Sequence, residues 1–264
     1  MAELLFWPAL IAYGEAAVAY IGNVKRPGRL GTAATWGVRL GWLAQSALLV
    51  AQAVRAEGFP WGTWAGSLNL FVWLVVGAYL VWGCRTPFRL LGLLVMPFAA
   101  ALLLLAWAGG GAGEGEPSRY SDLFLVLHVG FVLAAFAGFT LAAALSGLYL
   151  WQDRMLKRRE TSTILRLRVP SLAALDSIAA RTITVALPAL TLGIAAGAAR
   201  ILGQGGGFDA LMAFTLVTWV LYGAYLLLRV TADWRGRRAA VLALLGFALV
   251  VLVRVALPTT HFAG

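Results

Sequence analysis

An all-α polytopic membrane bundle of about eight transmembrane helices, with both termini on the outer side, is the fold class this sequence predicts. Three observations carry that expectation. The 264 residues are 61% hydrophobic and 12% charged, too few polar residues to cover a soluble domain of this size. Apolar runs of bilayer-spanning length recur along the chain, at a mean hydropathy of +0.85. The loops between those runs alternate between basic and base-poor.

The runs cover roughly 3–22, 32–54, 67–83, 90–108, 122–150, 182–201, 209–229 and 239–258. The first lacks a basic region ahead of it, so it reads as a retained span rather than a cleaved leader. "KRPGR" follows the first run, "RTPFR" the third, "DRMLKRRETSTILRLR" the fifth and "DWRGRR" the seventh. The alternate loops "EGFPWGTW", "GGGAGEGEPSRYSD" and "ILGQGGGF", with the tail "TTHFAG", carry glycines and acids and few bases. The positive-inside rule puts the basic set in the cytoplasm and both termini outside. The GC-rich style of the composition points to a bacterial inner membrane crossed many times.

The expected organisation is a single integral membrane domain over residues 1–264, with 152–181 as its longest cytoplasmic connector. In that connector, "PSLAALDSIAARTI" sets Leu172, Leu175, Ile178 and Ala179 at helical spacing behind Ser171, a candidate N-cap. An interfacial helix is one reading of this stretch, and a solvated connector helix is the other.

The net charge of +10 does not point to nucleic acid, because the bases sit in short clusters between apolar runs. Cys84 is the sole cysteine, so no intramolecular disulfide and no CxxC motif can form. It reads as an inert helix-end residue.

The residues that could carry chemistry are few. His128, in "LFLVLHVGF", and His261, in the tail, are the chain's two histidines. His128 follows Asp122 by six residues, about 9 Å along a helix from the expected outer face. His261 follows Pro258 just past the last run, on the same side. Imidazoles bind iron, and haem accepts one on each face. Arg200 and Arg254 close two runs on that side; they either snorkel to headgroups or meet an anionic group such as a propionate. Trp61 and Trp64 stand in an outer loop and Phe208 opens a run. An aromatic belt accounts for most such residues, but loop indoles also suit a flat cofactor. Against the haem reading stands an interfacial His128 and a loosely held His261. Glu15 and Arg39 fall inside the first two runs, where a lone charge is costly, so a structural ion pair between them is expected. A proton or ion path is the rival reading, and no chain of further acids continues it.

The second half resembles a known family in three stretches: "LHVGFVLAAFAGFTLAAALSGLYLWQDRMLK", "VPSLAALDSIAARTITVALPALTLGIAAGA" and "TWVLYGAYLLLRVTADWRGRRAAVLALLGFALVVLVRVALPTTHFAG". "GSLNLFVWLVVGAY" matches more loosely. Their order and spacing are similar to the cytochrome c assembly family, the haem-handling membrane proteins that include CcsA and HemX. The resemblance makes 121–264 a haem-handling half, with haem b as cofactor and His128 and His261 as outer axial ligands.

Two departures qualify what the resemblance implies. The family's tryptophan-rich haem platform is replaced by "LGQGGGFD": Gly203 and Asp209 keep their places, Phe208 stands for a tryptophan, and Leu202 and Gly206 occupy the other tryptophan positions. Asp209 thereby joins the cofactor-binding candidates. The synthases' intramembrane histidine, in a Tyr-Leu-His-x-Arg context, is Leu227 in "YLLLR". The chain therefore looks nearer the HemX branch than a complete synthase, and no catalytic residue is named. Haem, lipid, a cytochrome c maturation subunit and glutamyl-tRNA reductase are the implied partners. The alternative is a non-haem regulatory or assembly partner acting through protein contacts. A transporter of another substrate, resting on Glu15 and Arg39 alone, is third.

Overall fold

The computed structural model describes residues 2–25, 28–55, 60–82, 89–113, 122–159, 169–204 and 210–256. Eight helices lie among them: α1 (Ala2–Lys25), α2 (Arg29–Arg55), α3 (Trp64–Trp82), α4 (Arg89–Ala108), α5 (Asp122–Lys157), α6 (Leu172–Gln204), α7 (Ala210–Thr231) and α8 (Arg237–Ala256). No strand occurs among the described residues. Each expected apolar run falls on one helix, in order.

Six helices (α1 and α3 to α7) are long and apolar enough to cross a membrane. α2, with Arg39, Gln45 and Gln52 in its interior, and α8, opened by Arg237 and Arg238, fall outside that set. The protein is a multi-pass membrane protein.

The chain divides into two compact units, Met1–Leu125 with Leu167–Val169, and Val126–Arg166 with Pro170–Gly264. In the first, α1 packs on α2 and α4, and α3 packs on α4 and α2. Helices in lipid gain little from the hydrophobic effect between them, so close packing and internal hydrogen bonds hold them together. Both are present. Gly37 faces Ala12 and Ala16, and a Cβ at Gly41 would fall 2.6 Å from the Tyr13 ring.

A chain of amides runs through the interior of this unit. The Tyr13 hydroxyl donates to Gln45 Oε1 at 2.8 Å, and Gln45 Nε2 donates to Asn69 Oδ1 at 2.9 Å. Asn69 Nδ2 and Gln52 Nε2 both donate to the Gly111 carbonyl, at 3.2 and 3.0 Å, and Gln52 also reaches the Gly113 carbonyl at 2.7 Å. Gln45, Gln52 and Asn69 are fully buried.

The carbonyls they bind belong to the turn that ends α4. Gly111 N donates to the Ala106 carbonyl and Gly110 N to that of Trp107, with Gly110 at φ 81°, a left-handed cap that suits glycine. Gln52→Leu strips the Gly113 carbonyl of its side-chain donor in a dry interior and leaves the Gly111 carbonyl with Asn69 alone. The expected cost is about 1–3 kcal/mol, read as a lower thermal midpoint of the purified protein. An unchanged midpoint would mean that the turn does not need α2.

The second unit packs α5 to α8 around Ala135, Phe139, Ala142, Ile183, Ala186, Leu190, Tyr222, Tyr225 and Ala243. Phe139 and Tyr222 stack with ring centroids 3.8 Å apart and planes 4° from parallel. A Cβ at Gly138 would fall 2.7 Å from the Cβ of Ala186, so α5 and α6 touch nearly backbone to backbone there.

Ser171 caps α6: its Oγ accepts from Ala174 N at 3.2 Å. Of the stretch 152–181 expected as a connector, 152–157 end α5 and 172–181 are the first part of α6. α6 runs on through Pro188 to Gln204 without a break. α5, at 36 residues, and α6, at 33, extend about 54 and about 50 Å, well beyond a hydrocarbon core of about 30 Å.

One sequence expectation is corrected. The Glu15–Arg39 ion pair is absent from the ion pairs among the described residues, which are Lys157–Asp153, Arg229–Asp176 and Arg235–Asp233. Glu15 and Arg39 are both exposed. The Arg39 guanidinium instead lies over the Trp36 ring, 5.1 Å from its centroid. α1 turns its buried face (Phe6, Ala9, Tyr13, Ala16, Tyr20) to the bundle, and Glu15 stands two residues along from Tyr13, about 200° around the helix. Cys84 lies outside the described residues.

Candidate functional site

His128 sits in the second turn of α5, and a glycine stripe on α6 makes room for it. Gly193 and Gly197 are four residues apart, so they lie on one face of α6. A Cβ at Gly193 would fall 2.7 Å from Val132 Cγ2; one at Gly197 would fall 2.9 Å from His128 Cε1 and 3.1 Å from its Nδ1. The imidazole therefore lies flush against the α6 backbone, where only glycine leaves space.

The ring is also oriented. His128 Nδ1 is 2.8 Å from the Gly193 carbonyl oxygen. A carbonyl only accepts, so Nδ1 carries the proton and Nε2 presents its lone pair. Metal-ligating histidines are commonly held in this way, one ring N–H donated to a carbonyl, which fixes the tautomer and the ring's orientation. The half-buried His128 thus has the donor chemistry of an axial haem ligand. Among the described residues no group of three or more His, Cys, Asp or Glu is arranged to hold a bare metal ion.

Arg200 lies three residues beyond Gly197 and seven beyond Gly193, so helical register puts it on the stripe that faces His128. It is one turn nearer the end of α6, about 4.5 Å along the axis. α7 and α8 run antiparallel: the Tyr222 hydroxyl donates to the Ala243 carbonyl at 3.2 Å, and Gly246 lies beneath the Tyr222 ring. The end of α8 thereby returns toward the start of α7. Arg254 is on that last stretch of helix, but its side chain lies outside the described residues. His261, Phe208 and Asp209 lie outside them altogether.

Trp61 and Trp64 belong to the first unit, and both have internal tasks. Trp61 Nε1 donates to Gln52 Oε1 at 3.3 Å, and the Trp61 carbonyl accepts from Ser67 Oγ at 2.7 Å. Trp64 covers Gly109 so closely that any side chain there would collide with the indole, yet it remains 40% exposed. One face of Trp64 is thus used for packing and part of the ring remains open.

A second constellation escaped the sequence reading. Asp176 on α6 takes Arg229 of α7 in a two-pronged bridge, Nη1–Oδ1 at 3.1 Å and Nη2–Oδ2 at 2.6 Å. The same carboxylate accepts from Gly236 N at 3.0 Å, in the turn before α8. Gly236 has φ 63°, and a Cβ there would fall 2.7 Å from the Tyr149 hydroxyl of α5. One carboxylate thus ties α6, α7 and the α7–α8 turn together, and glycine admits α5 to the same place. The only sequence signal was an acid in "LDSI" and a base in "YLLLR", both inside long apolar helices.

A family model described as Cytochrome C assembly protein matches residues 61–257. The cytochrome c biogenesis protein CcsA of Synechococcus elongatus is 27% identical over 290 residues, covering 92% of this chain and 88% of that protein. The CcsA of Gloeothece citriformis is 28% identical over 273 residues, covering 84% and 82%. The CcsA of Pyropia yezoensis is 28% identical over 234 residues, covering 73% of each chain. No solved structure matches. The family match begins just before α3 and runs past the end of α8, taking in the amide chain's Asn69, the His128 stripe and the Asp176 clasp. By that match, the chain belongs to the cytochrome c assembly protein family.

Proposed function

We propose that this protein handles haem at one membrane face during cytochrome c biogenesis, with His128 and His261 as the two axial ligands. The observation that carries the reading is the anchored imidazole: His128 Nδ1 donates to the Gly193 carbonyl at 2.8 Å, in a groove that only glycines leave open, which leaves Nε2 as the ring nitrogen of ligand type. Haem, when bound, supplies an iron that takes one imidazole on each face. Arg200 and Arg254 neutralise its propionates. Phe208 offers stacking surface and Asp209 a polar rim. No bond-making step is assigned to a side chain of this protein. Haem b in a bacterial inner membrane, eight spans with both termini outside, and a place near the HemX branch complete the reading. Its support is the basic-loop pattern, the replaced tryptophan platform and Leu227.

The test is the oxidised and reduced visible spectrum of protein purified from haem-supplied cells. A low-spin bis-histidine spectrum is expected for the parent. His128→Ala and His261→Ala should each lose it. A parent that stays colourless, or a His128→Ala variant with an unchanged spectrum, ends the ligation proposal.

A second reading has its own support. Trp61 and Trp64 are committed to Gln52 and Gly109, and Leu202 and Gly206 stand where the family's platform carries tryptophan. On that reading the protein is a non-haem regulatory or assembly partner. It acts through its basic loops on a maturation subunit or on glutamyl-tRNA reductase. Colourless protein that captures a defined partner through residues 152–181 favours it.

A further inference from the structure

α1 carries a charge where a membrane helix tolerates one poorly. Glu15 is the twelfth residue of the twenty-residue apolar segment Leu4–Asn23, so it lies within a few ångströms of the segment's middle. It is exposed, in a stripe with Leu4, Ile11 and Val18, which are 71%, 55% and 70% exposed. Arg39 is exposed on α2, held over Trp36. The two charges stand at one depth: Gly37 meets Ala16 and Gly41 meets Ala12, so the antiparallel pair brings Arg39 level with residue 14. Yet they do not bridge within the chain. Ionisable side chains inside a membrane almost always face protein and pair. Here each of two opposite charges at equal depth lacks the other. Both sit on the α1–α2 hairpin, ahead of the residues that the family model matches.

We propose that the α1–α2 face is a homodimer interface, in which Glu15 of each copy pairs with Arg39 of the other. A twofold axis along the membrane normal keeps every residue at its own depth, so it brings Glu15 opposite the second copy's Arg39 and repeats the contact once more. The apolar stripe flanks the pairs and excludes lipid from them. Charge complementarity selects a second copy over another partner, because the hairpin supplies both members of the pair at matching depth. The proposal is independent of haem binding.

Two differently tagged chains, co-expressed and extracted in mild detergent, test it. Wild-type chains co-purify. Glu15→Arg chains paired with themselves, and Arg39→Glu chains paired with themselves, lose at least tenfold of the captured partner. A Glu15→Arg chain mixed with an Arg39→Glu chain recovers it. Each chain of that mixture carries like charges at its own two positions, so recovery reports a contact between chains and not within one. Monodispersity of each variant on size exclusion separates lost pairing from lost folding. If either reversal is aggregated, Glu15→Gln and Arg39→Gln take its place, and each must weaken capture. Wild-type chains that fail to capture each other, capture of some other protein in place of the second copy, or a mixture that fails to recover overturns the proposal.

Discussion

Asp176→Ala is expected to lower the stability of the protein by about 3 kcal/mol, the largest single-residue effect in the second unit. The carboxylate is 13% exposed and the Arg229 guanidinium 17%. Deleting the acid leaves a mostly buried cation with the Tyr225 hydroxyl but no counter-charge, and frees the Gly236 N–H at the same time. Removing one member of a buried pair costs more than the pair itself is worth, because the other charge stays behind desolvated. Asp176→Asn keeps an oxygen for Gly236 N and one prong for Arg229 but loses the charge, so it falls between. Thermal midpoints in one detergent should rank wild type, Asn, Ala. An Ala variant that melts with wild type would show that water or headgroups already solvate Arg229.

Gly197→Val is expected to cut bound haem at least tenfold while leaving the helices in place. The Cβ alone arrives 2.9 Å from His128 Cε1 and 3.1 Å from Nδ1, and two further methyl groups follow. The imidazole has to swing off α6, which breaks the Gly193 hydrogen bond and turns Nε2 away. Gly147→Ala is the control, on the helix that carries His128, since a Cβ there meets nothing within 4 Å. Visible absorbance per protein, beside the thermal midpoint, separates the outcomes. Haem retained at wild-type level in the Val variant would mean that the ligand pose does not depend on the glycine stripe.

The fold was largely legible in the sequence because lipid imposes one strong rule. A spanning segment must be helical, long and apolar, and each run announced a helix. What stayed hidden is what apolarity does not encode. Residues 172–179 have the spacing of a separate amphipathic helix, but Ser171 caps a helix that Pro188 fails to stop. A proline within a membrane helix is accommodated by its surroundings. Glu15 and Arg39 were read as partners because both interrupt apolar runs. Their azimuth around each helix, set by the packing of Tyr13 and Gly41, sends them to the outside instead.

The site divides in the same way. His128 was found by rarity, since an imidazole stands out in an apolar run. Its anchor was not, because Gly193 and Gly197 in "GIAAG" read as generic small residues until a ring is seen lying on them. Asp176 and Arg229 are 53 positions apart, and no local pattern joins them.

The Asp176 clasp also bears on how the protein is made. Arg229 emerges from the ribosome after α6 is complete, and an unpaired guanidinium near the end of a membrane helix resists leaving an aqueous insertion channel for lipid. With α6 already inserted, Asp176 is waiting when α7 arrives, and the turn amide of Gly236 closes on the same carboxylate a few residues later. Chain order and charge order therefore agree: the acid comes first, and the basic helix is released into the bilayer against a partner that is already in place.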